Sequence, residues 1–312
     1  MTGRRSVLIV LSVVIAFVFS AAGCTTVSNL KKTGKKIVQD IRFKDPSLVK
    51  KIGIVRIVNR SAYQGQGIEK RLQDELVQKL KSQYAYAMYV TSEHPGSGVL
   101  LEGLPVNNTG GTDNLKLVTA GRASGFNAIV NAAITDISQN NETHGWFWFK
   151  SDRRLIRMTV SLEVYSMLTG AKLLDESLVC ETELEEAVAL EEGALIRNLP
   201  ELTATVSQMA FDSAERICDI ISSDPWTGYV ISVAGDKLVI SSGKQTGLLP
   251  GDLLEVYDGS QVAEGVGAQR FFMPGKKLGQ LRITRVFEDR AEAELASGDN
   301  VREGCTVSGN NG

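Results

Sequence analysis

From Ile156 to Val164 the chain reads Ile-Arg-Met-Thr-Val-Ser-Leu-Glu-Val, alternating apolar and polar residues without a slip. Successive side chains of a strand point to opposite faces, so this period dictates a β-strand with one dry and one wet face. Thr169-Gly170 turns it into a partner strand, Lys172 to Thr182, and the dry face requires an apolar layer to cover it.

The segments before and after supply that layer. Lys51 to Asn59, KIGIVRIVN, is a short β-branched run suited to a strand buried on both faces. From about Gly67, Ile68, Leu72, Leu76 and Leu80 recur every four residues among Glu, Lys, Arg and Gln, the pattern of an amphipathic helix. A strand at Met88 to Thr91 follows, then a Gly/Pro/Asn-rich loop, then a helix opened by Asp113 as N-cap and closed by Gly125. Phe126 to Ile137 reads as a strand. A final helix, Leu199 to Ile221, turns Leu202, Val206, Met209, Ile217 and Ile221 inward. The expectation for 49–223 is an α+β domain with helices packed on a mixed sheet.

Asp224-Pro225 breaks the chain. Beyond it no helical period survives. Short strands are expected at Tyr229–Val233, Lys237–Ser241, Asp252–Tyr257, Gly279–Val286, Arg290–Leu295 and near Cys305, with a hairpin turn at Gly235-Asp236. Residues 224–309 are therefore expected to form a small all-β barrel or sandwich. Gly243, Gly247 and Gly251 fall at its corners, where positive φ or close backbone approach suits glycine.

The N-terminus carries Arg4 and Arg5, an apolar run from Val7 to Phe19, and small residues leading to Cys24. The run is shorter than the roughly 20 residues a spanning helix needs, so residues 1–23 read as a secretory leader. Ala21-Ala22-Gly23-Cys24 resembles the bacterial lipoprotein signal, with Ala21 where that motif usually has Leu. The resemblance implies acylation of Cys24 and attachment to a membrane by lipid alone. Thr25 follows where Asp would retain the protein at the inner membrane, so the expected location is the outer membrane, facing the periplasm. Residues 24–48 hold Lys31, Lys32, Lys35, Lys36, Arg42 and Lys44: a basic tether that either lies on anionic headgroups or is merely solvated.

Removing the leader leaves two fewer than the 34 basic residues against 36 acidic, a net charge of about −4 that argues against nucleic acid as a partner. Cys180, Cys218 and Cys305 then remain, an odd number that forbids complete pairing within one chain. Three buried free thiols are expected, with a Cys180–Cys218 bond left open.

Two family resemblances emerge from these segments. IGIVRIVNRS with the following helix, AGRASGFNAIVNAAITDI and TVSLEVYSMLTGAKLLDES are similar to the curli-secretion lipoprotein family (CsgG-type). The same core occurs in lipoprotein activators of penicillin-binding proteins (LpoB-type) and in the middle domain of the flagellar H-ring assembly protein (FlgT-type). GYVISVAGDKLVISSGKQTGLLPGDLLEVY, GQLRITRVFEDRAEAEL and VREGCTV resemble that flagellar protein's C-terminal domain. These resemblances imply a non-enzymatic lipoprotein that docks envelope proteins, with a homo-oligomeric ring as one arrangement. They also imply two rivals: a curli-type secretion channel and an activator of a cell-wall synthase.

Reaction chemistry is not written in the residues. Gly243-Lys244-Gln245-Thr246 lacks the earlier glycine of a phosphate loop, where Leu238 stands, and its hydroxyl position. Gly65-Gln66-Gly67 has Lys70 at the third position of the dinucleotide pattern, so both stretches read as turns, with a backbone anion site at the helix start a remote alternative. His94 and His144 are expected in loops, with no ligand-spaced partner. Glu183, Glu185, Glu186, Glu191 and Glu192 read as a solvated acidic ridge. The expectation is no catalytic residue, no cofactor and no metal.

One stretch sets the assembly and channel readings against each other. Gly145 to Arg154, GWFWFKSDRR, places Trp146 and Trp148 on one face of an extended segment and Phe147 and Phe149 on the other. A channel wall needs a wet face opposite a greasy one, which this segment lacks. The second hairpin such a channel needs falls on the acidic, helix-patterned stretch after Cys180. The aromatics are therefore expected either to be buried or to dock a partner.

Overall fold

Strand, helix, strand and helix follow one another in the first half of the chain, and the computed structural model builds them into one mixed sheet. It describes residues 48–63, 67–94, 98–144, 151–184, 200–266 and 269–309, without the side chains of 141–144 and 151–153. β1 (Lys50–Ile54) pairs in parallel with β3 (Ala87–Thr91) on one side and β4 (Ala128–His144) on the other. β4, β5 (Ser151–Ser166) and β6 (Lys172–Glu183) then run antiparallel, giving the order β3-β1-β4-β5-β6. A two-residue strand, β2 (Val58–Asn59), extends the pairing along β4.

The alternation in β5 does what its pattern requires. Ile156, Met158, Val160, Leu162 and Val164 are buried, while Thr159, Ser161 and Glu163 are partly exposed on the opposite face. The dry face is covered by α1 (Ile68–Gln83), through Ile68, Leu72, Leu76 and Leu80, and by α3 (Pro200–Ser223), through Val206, Met209, Ile217 and Ile221. Arg71 Nη1 donates to Thr203 Oγ1 at 2.8 Å and Ser207 bonds Glu75, so the two helices lie side by side in parallel. The C-terminal carbonyls of α3 attract positive charge. The buried Lys50 Nζ meets one of them, Ile221 O, at 2.5 Å.

On the other face α2 (Asn114–Ala123) and a single 3-10 turn (Val99–Leu101) cover only the β3-β1-β4 end. Asp113 caps α2 by accepting from Lys116 N at 3.1 Å, and Gly125 ends it at φ 73°. Toward β5 and β6 this face stays polar, with Asn131, Glu163 and Asp175 in register across it.

After α3 the chain forms a closed six-stranded barrel. Its strands are β7 (Gly228–Ala234), β8 (Lys237–Ile240), β9 (Leu253–Tyr257), β12 (Lys277–Val286), β13 (Ala291–Gly298) and β14 (Thr306–Gly309), joined in the order β12-β13-β8-β7-β14-β9. The inner positions carry Val230, Leu238, Ile240, Leu254, Val256, Leu281 and Ile283, with Ala291 and Ala293 on the same face. Gly235 takes φ 61° in the two-residue hairpin, and Gly247 and Gly251 take φ 87° and 97°. Gly243 serves by close approach instead: a Cβ there would stand 2.4 Å from Phe287 O.

The strand expected over Lys51–Asn59 is broken after Ile54, leaving Val58–Asn59 as a separate short strand, and periodicity signalled neither the 3-10 turns nor a further hairpin. Between β9 and β12 a short hairpin, β10 (Val262–Glu264) and β11 (Arg270–Phe272), leaves the barrel wall. Three-residue strands are too short for period two to show. His144 ends β4 rather than lying in a loop.

The three cysteines among the described residues are buried and free. Thr205 bonds Thr182 at 2.8 Å and Arg216 meets Glu176 at 3.6 Å, so α3 and β6 run antiparallel. On that alignment Cys180 and Cys218 stand roughly 13 Å apart along the helix, beyond the reach of a disulfide.

Candidate functional site

Residues Ser47–Gly312 cluster as one compact unit, and the seam between sheet and barrel explains why. Tyr229 of β7 is buried in the same apolar cluster as Leu117, Val118, Phe126, Ile129 and Met167 of the α+β half. Beside it lies Arg122, in the last turn of α2 and 6% exposed. Its Nε donates to Met167 O at 3.0 Å, Nη2 to Leu168 O, and Nη1 to Gly259 O at 3.0 Å and Gly304 O at 3.5 Å. The guanidinium carbon lies 4.0 Å from the Phe272 ring centre and 5.2 Å from that of Tyr229. Burial pulls its pKa below the usual arginine value, but a guanidinium remains a cation at any ordinary pH. One side chain thus joins α2 and the β5–β6 turn to two barrel loops and β11.

Other polar bonds repeat the theme. Asn114 bonds both the N–H and the C=O of Arg270, Phe272 N donates to Thr169 O at 2.9 Å, and Asn127 Nδ2 donates to Thr227 O at 2.8 Å. At Gly125 an added Cβ would stand 2.0 Å from Ser241 O, which is barrel backbone. Gly125→Ala should therefore lose about 1–2 kcal/mol from the left-handed backbone alone, and more from displacing the barrel. Gly125→Asn should not restore the loss, because the obstacle meets Cβ. Urea unfolding midpoints of the two variants measure it.

Held this way, the β10–β11 hairpin and the wet face of the sheet enclose a cleft of about 800 Å³. Its floor is Asn131, Glu163 and Tyr165; its walls include Arg56, Val58 and Arg60 on one side and Gln269 and Phe271 of the hairpin on the other. Asn131 Nδ2 donates to Glu163 Oε2 at 2.8 Å, and Lys172 Nζ meets Glu163 at 2.6 Å and Asp175 at 2.9 Å. Burial opposes the charge on Lys172, but hydrogen bonds to Glu163 and Asp175 outweigh it and raise its pKa. Arg56 pairs with Glu102 at 2.8 Å, whereas Arg60 forms no ion pair among the described residues. The cleft thus offers one uncommitted guanidinium, paired charges and the apolar surfaces of Val58, Leu104, Val106 and Phe271. That mixture suits a protein segment better than a small apolar ligand, whose pockets are mostly hydrophobic.

Among the described residues no group of His, Cys, Asp and Glu could hold a metal ion, and no helix is long and apolar enough to cross a membrane. Lys244-Gln245-Thr246 is one 3-10 turn whose amides are committed, Lys244 N to Phe287 O and Gln245 N to Glu288 O, so it does not cradle phosphate. Gly67 precedes α1 at φ 78° without a side-chain cap; Gly65 and Gln66 lie outside the described residues.

Cys24 and the aromatic set Trp146, Phe147, Trp148 and Phe149 also lie outside them, as do Glu185, Glu186, Glu191 and Glu192. β4 and β5 pair as far as His144 and Ser151, on either side of the aromatics. Sequence reasoning missed Arg122 and the cleft. The available signal for the first was an arginine among the small residues of AGRASGF.

No curated protein sequence matches the chain. Among solved structures, a hypothetical protein of Chlamydia trachomatis overlaps 56% of this chain and 99% of its own at 12% identity and a TM-score of 0.38. A lipoprotein of Neisseria meningitidis overlaps 55% and 99% at 11% identity and a TM-score of 0.27. A minor lipoprotein of Acinetobacter baumannii overlaps 56% and 93% at 12% identity and a TM-score of 0.26. At such scores the overlap carries no functional argument. Residues 235–303, which span the barrel from the β7–β8 turn to the loop before β14, match the family "Flagellar assembly protein T, C-terminal domain".

Proposed function

We propose that this protein is a non-enzymatic binding and assembly module of a bacterial envelope machine of the flagellar-ring kind, anchored in the outer membrane through Cys24 and facing the periplasm. The observation that carries the reading is the family match of residues 235–303 in the barrel, which supports a relation to flagellar assembly. The stapled seam supports it: a scaffold must hold its docking surfaces in fixed relation, and Arg122 fixes the barrel against the sheet that floors the cleft. In this reading the cleft receives a segment of a neighbouring envelope protein or of another copy in a ring. The acyl chains, worth about 0.8 kcal/mol per buried methylene, hold the module at the membrane.

Labelling cells with radioactive palmitate tests the anchor. The wild type should take up label and Cys24→Ser should not; equal labelling of both would end the lipoprotein reading.

A secretion-channel subunit is the second reading, and one observation favours it. β4 and β5 form a paired hairpin of 17 and 16 residues, longer than the 9–11 a membrane strand needs. Its apolar side, however, is occupied over Met158–Val164 by α1 and α3 of the same chain. Discrete conductance steps from the purified lipidated protein in planar bilayers would replace the assembly reading with this one.

A further inference from the structure

Residues 55–60 run beside β4, with Val55 N bonded to Val130 O at 2.9 Å and Arg60 N to Ile134 O at 2.8 Å. Along this segment Arg56, Val58 and Arg60 turn to the cleft, while Ile57 is buried in the core on the other side of the sheet. Five charged side chains line the cleft: Arg56, Arg60 and Lys172 against Glu102 and Glu163. Both carboxylates are taken, Glu102 by Arg56 at 2.8 Å and Glu163 by Lys172 at 2.6 Å. Two further acids stand just outside. Asp175 is held by the same Lys172 at 2.9 Å, and Asp136, two residues beyond Ile134 on β4, accepts from Ser138 Oγ at 2.7 Å and forms no ion pair among the described residues. The exposed Arg60 is therefore the one cation of the lining without a carboxylate. The facing wall, Gln269 and Phe271 of β11, is uncharged, because Arg270 between them turns to the far side of the hairpin, across from Glu264.

These charges discriminate among occupants. A basic segment would find every lining carboxylate engaged and Arg60 repelling it. A neutral segment would strip water from the guanidinium and return nothing, which is costly for an unpaired charge. A carboxylate restores what Arg60 loses, in two parallel N–H···O bonds. We infer that the cleft takes an extended acidic peptide segment, which sets an Asp or Glu side chain on Arg60 and the neighbouring apolar side chain on Phe271. Successive side chains of an extended chain point to opposite sides, which suits a cleft with its open charge on one wall and an aromatic ring on the other. Val58, 38% exposed, and Val106, 66% exposed, offer the same segment further apolar contact. The inference rests on the reading of the cleft as a docking site and names the chemistry of its occupant.

Peptide selection tests it. A random peptide library displayed on phage is panned on the purified full chain, wild type and Arg60→Glu. Wild-type binders should be enriched in Asp or Glu beside an apolar residue, and Arg60→Glu binders in Lys or Arg instead. The tightest wild-type binder is then synthesised with a fluorophore and titrated by anisotropy. Replacing its acidic residue by the matching amide, or Arg60 by Gln, should each weaken binding about fivefold, and the two changes together should cost no more than one alone. The thermal midpoint should not move, since the Arg60 side chain is exposed and makes no bond within the described fold. Binders without an acidic excess, an unchanged preference in Arg60→Glu, losses that add, or no binder at all would overturn the inference. Photocrosslinking from the cleft in cells separates this failure from that of the docking reading, because an adduct with an envelope protein keeps the docking reading even where the captured segment carries no carboxylate.

Discussion

Arg122→Ala should destabilise the protein by about 3–5 kcal/mol, a drop of roughly 10 °C in thermal midpoint for a chain of this size. Met167, Leu168, Gly259 and Gly304 would each lose the donor to their carbonyls, and buried acceptors left bare cost about 1–3 kcal/mol apiece before relaxation. The loss should also change the form of unfolding. With the staple gone, sheet and barrel are held by fewer cross-seam bonds, and calorimetry should resolve two transitions where the wild type shows one. Arg122→Lys should rescue little, because a single ammonium cannot serve carbonyls on two sides of the seam while stacking on Phe272. A cost under about 1 kcal/mol, with one sharp transition, would mean that Arg122 does not join the halves.

Alkaline unfolding is the second large effect. Burial drives the phenol of Tyr84 up to about 12 and holds those of Tyr89 and Tyr229 well above their usual value. In the unfolded chain all three ionise near pH 10. Above that pH the unfolded state binds fewer protons than the native state, so stability falls as pH rises. Each phenol contributes up to about 1.4 kcal/mol per pH unit, and the three together about 4. At lower pH two opposite trends offset each other. Lys50, pulled down to about 8 by burial, costs stability below that pH, and the cost is relieved as pH rises toward its unfolded value. The Cys218 thiol, pushed up to about 12 by burial, acts in the other sense from about pH 8.5. Stability should therefore stay nearly level to about pH 10 and then collapse. Near-ultraviolet tyrosinate absorbance should rise in two stages, the second coinciding with loss of far-ultraviolet dichroism. A single stage near pH 10 with the fold intact would refute the burial of these phenols.

Local signals in the sequence carried most of the secondary structure. The period of Ile156–Val164, the Asp113 cap with the Gly125 stop, and the corner glycines Gly247 and Gly251 each specify their own geometry within a few residues. What the sequence concealed is non-local. Arg122 meets Gly259 and Gly304, 137 and 182 residues away, and nothing in a helix surface announces carbonyls on another layer. Lys50 lies one residue before the strand expected from Lys51, and only the C-terminus of α3, 171 residues on, gives its ammonium a buried acceptor. The cleft draws Arg60, Glu163, Lys172 and Phe271 from four separate segments, so its charges could be read singly but not as a set. The cysteines show the same limit: their number left a Cys180–Cys218 bond open, and only the antiparallel alignment of α3 with β6 closes the question.

Capture of a neighbouring envelope protein by the cleft can be read in living cells. Arg60 is replaced by the photocrosslinking residue p-benzoylphenylalanine, cells of the native host are irradiated, and the adducts are identified by mass spectrometry. The expected result is an adduct with a component of the flagellar basal body, or with a second copy of this chain inside isolated basal bodies. Adducts confined to cytoplasmic proteins, or no adduct while the protein fractionates away from basal bodies, would contradict it.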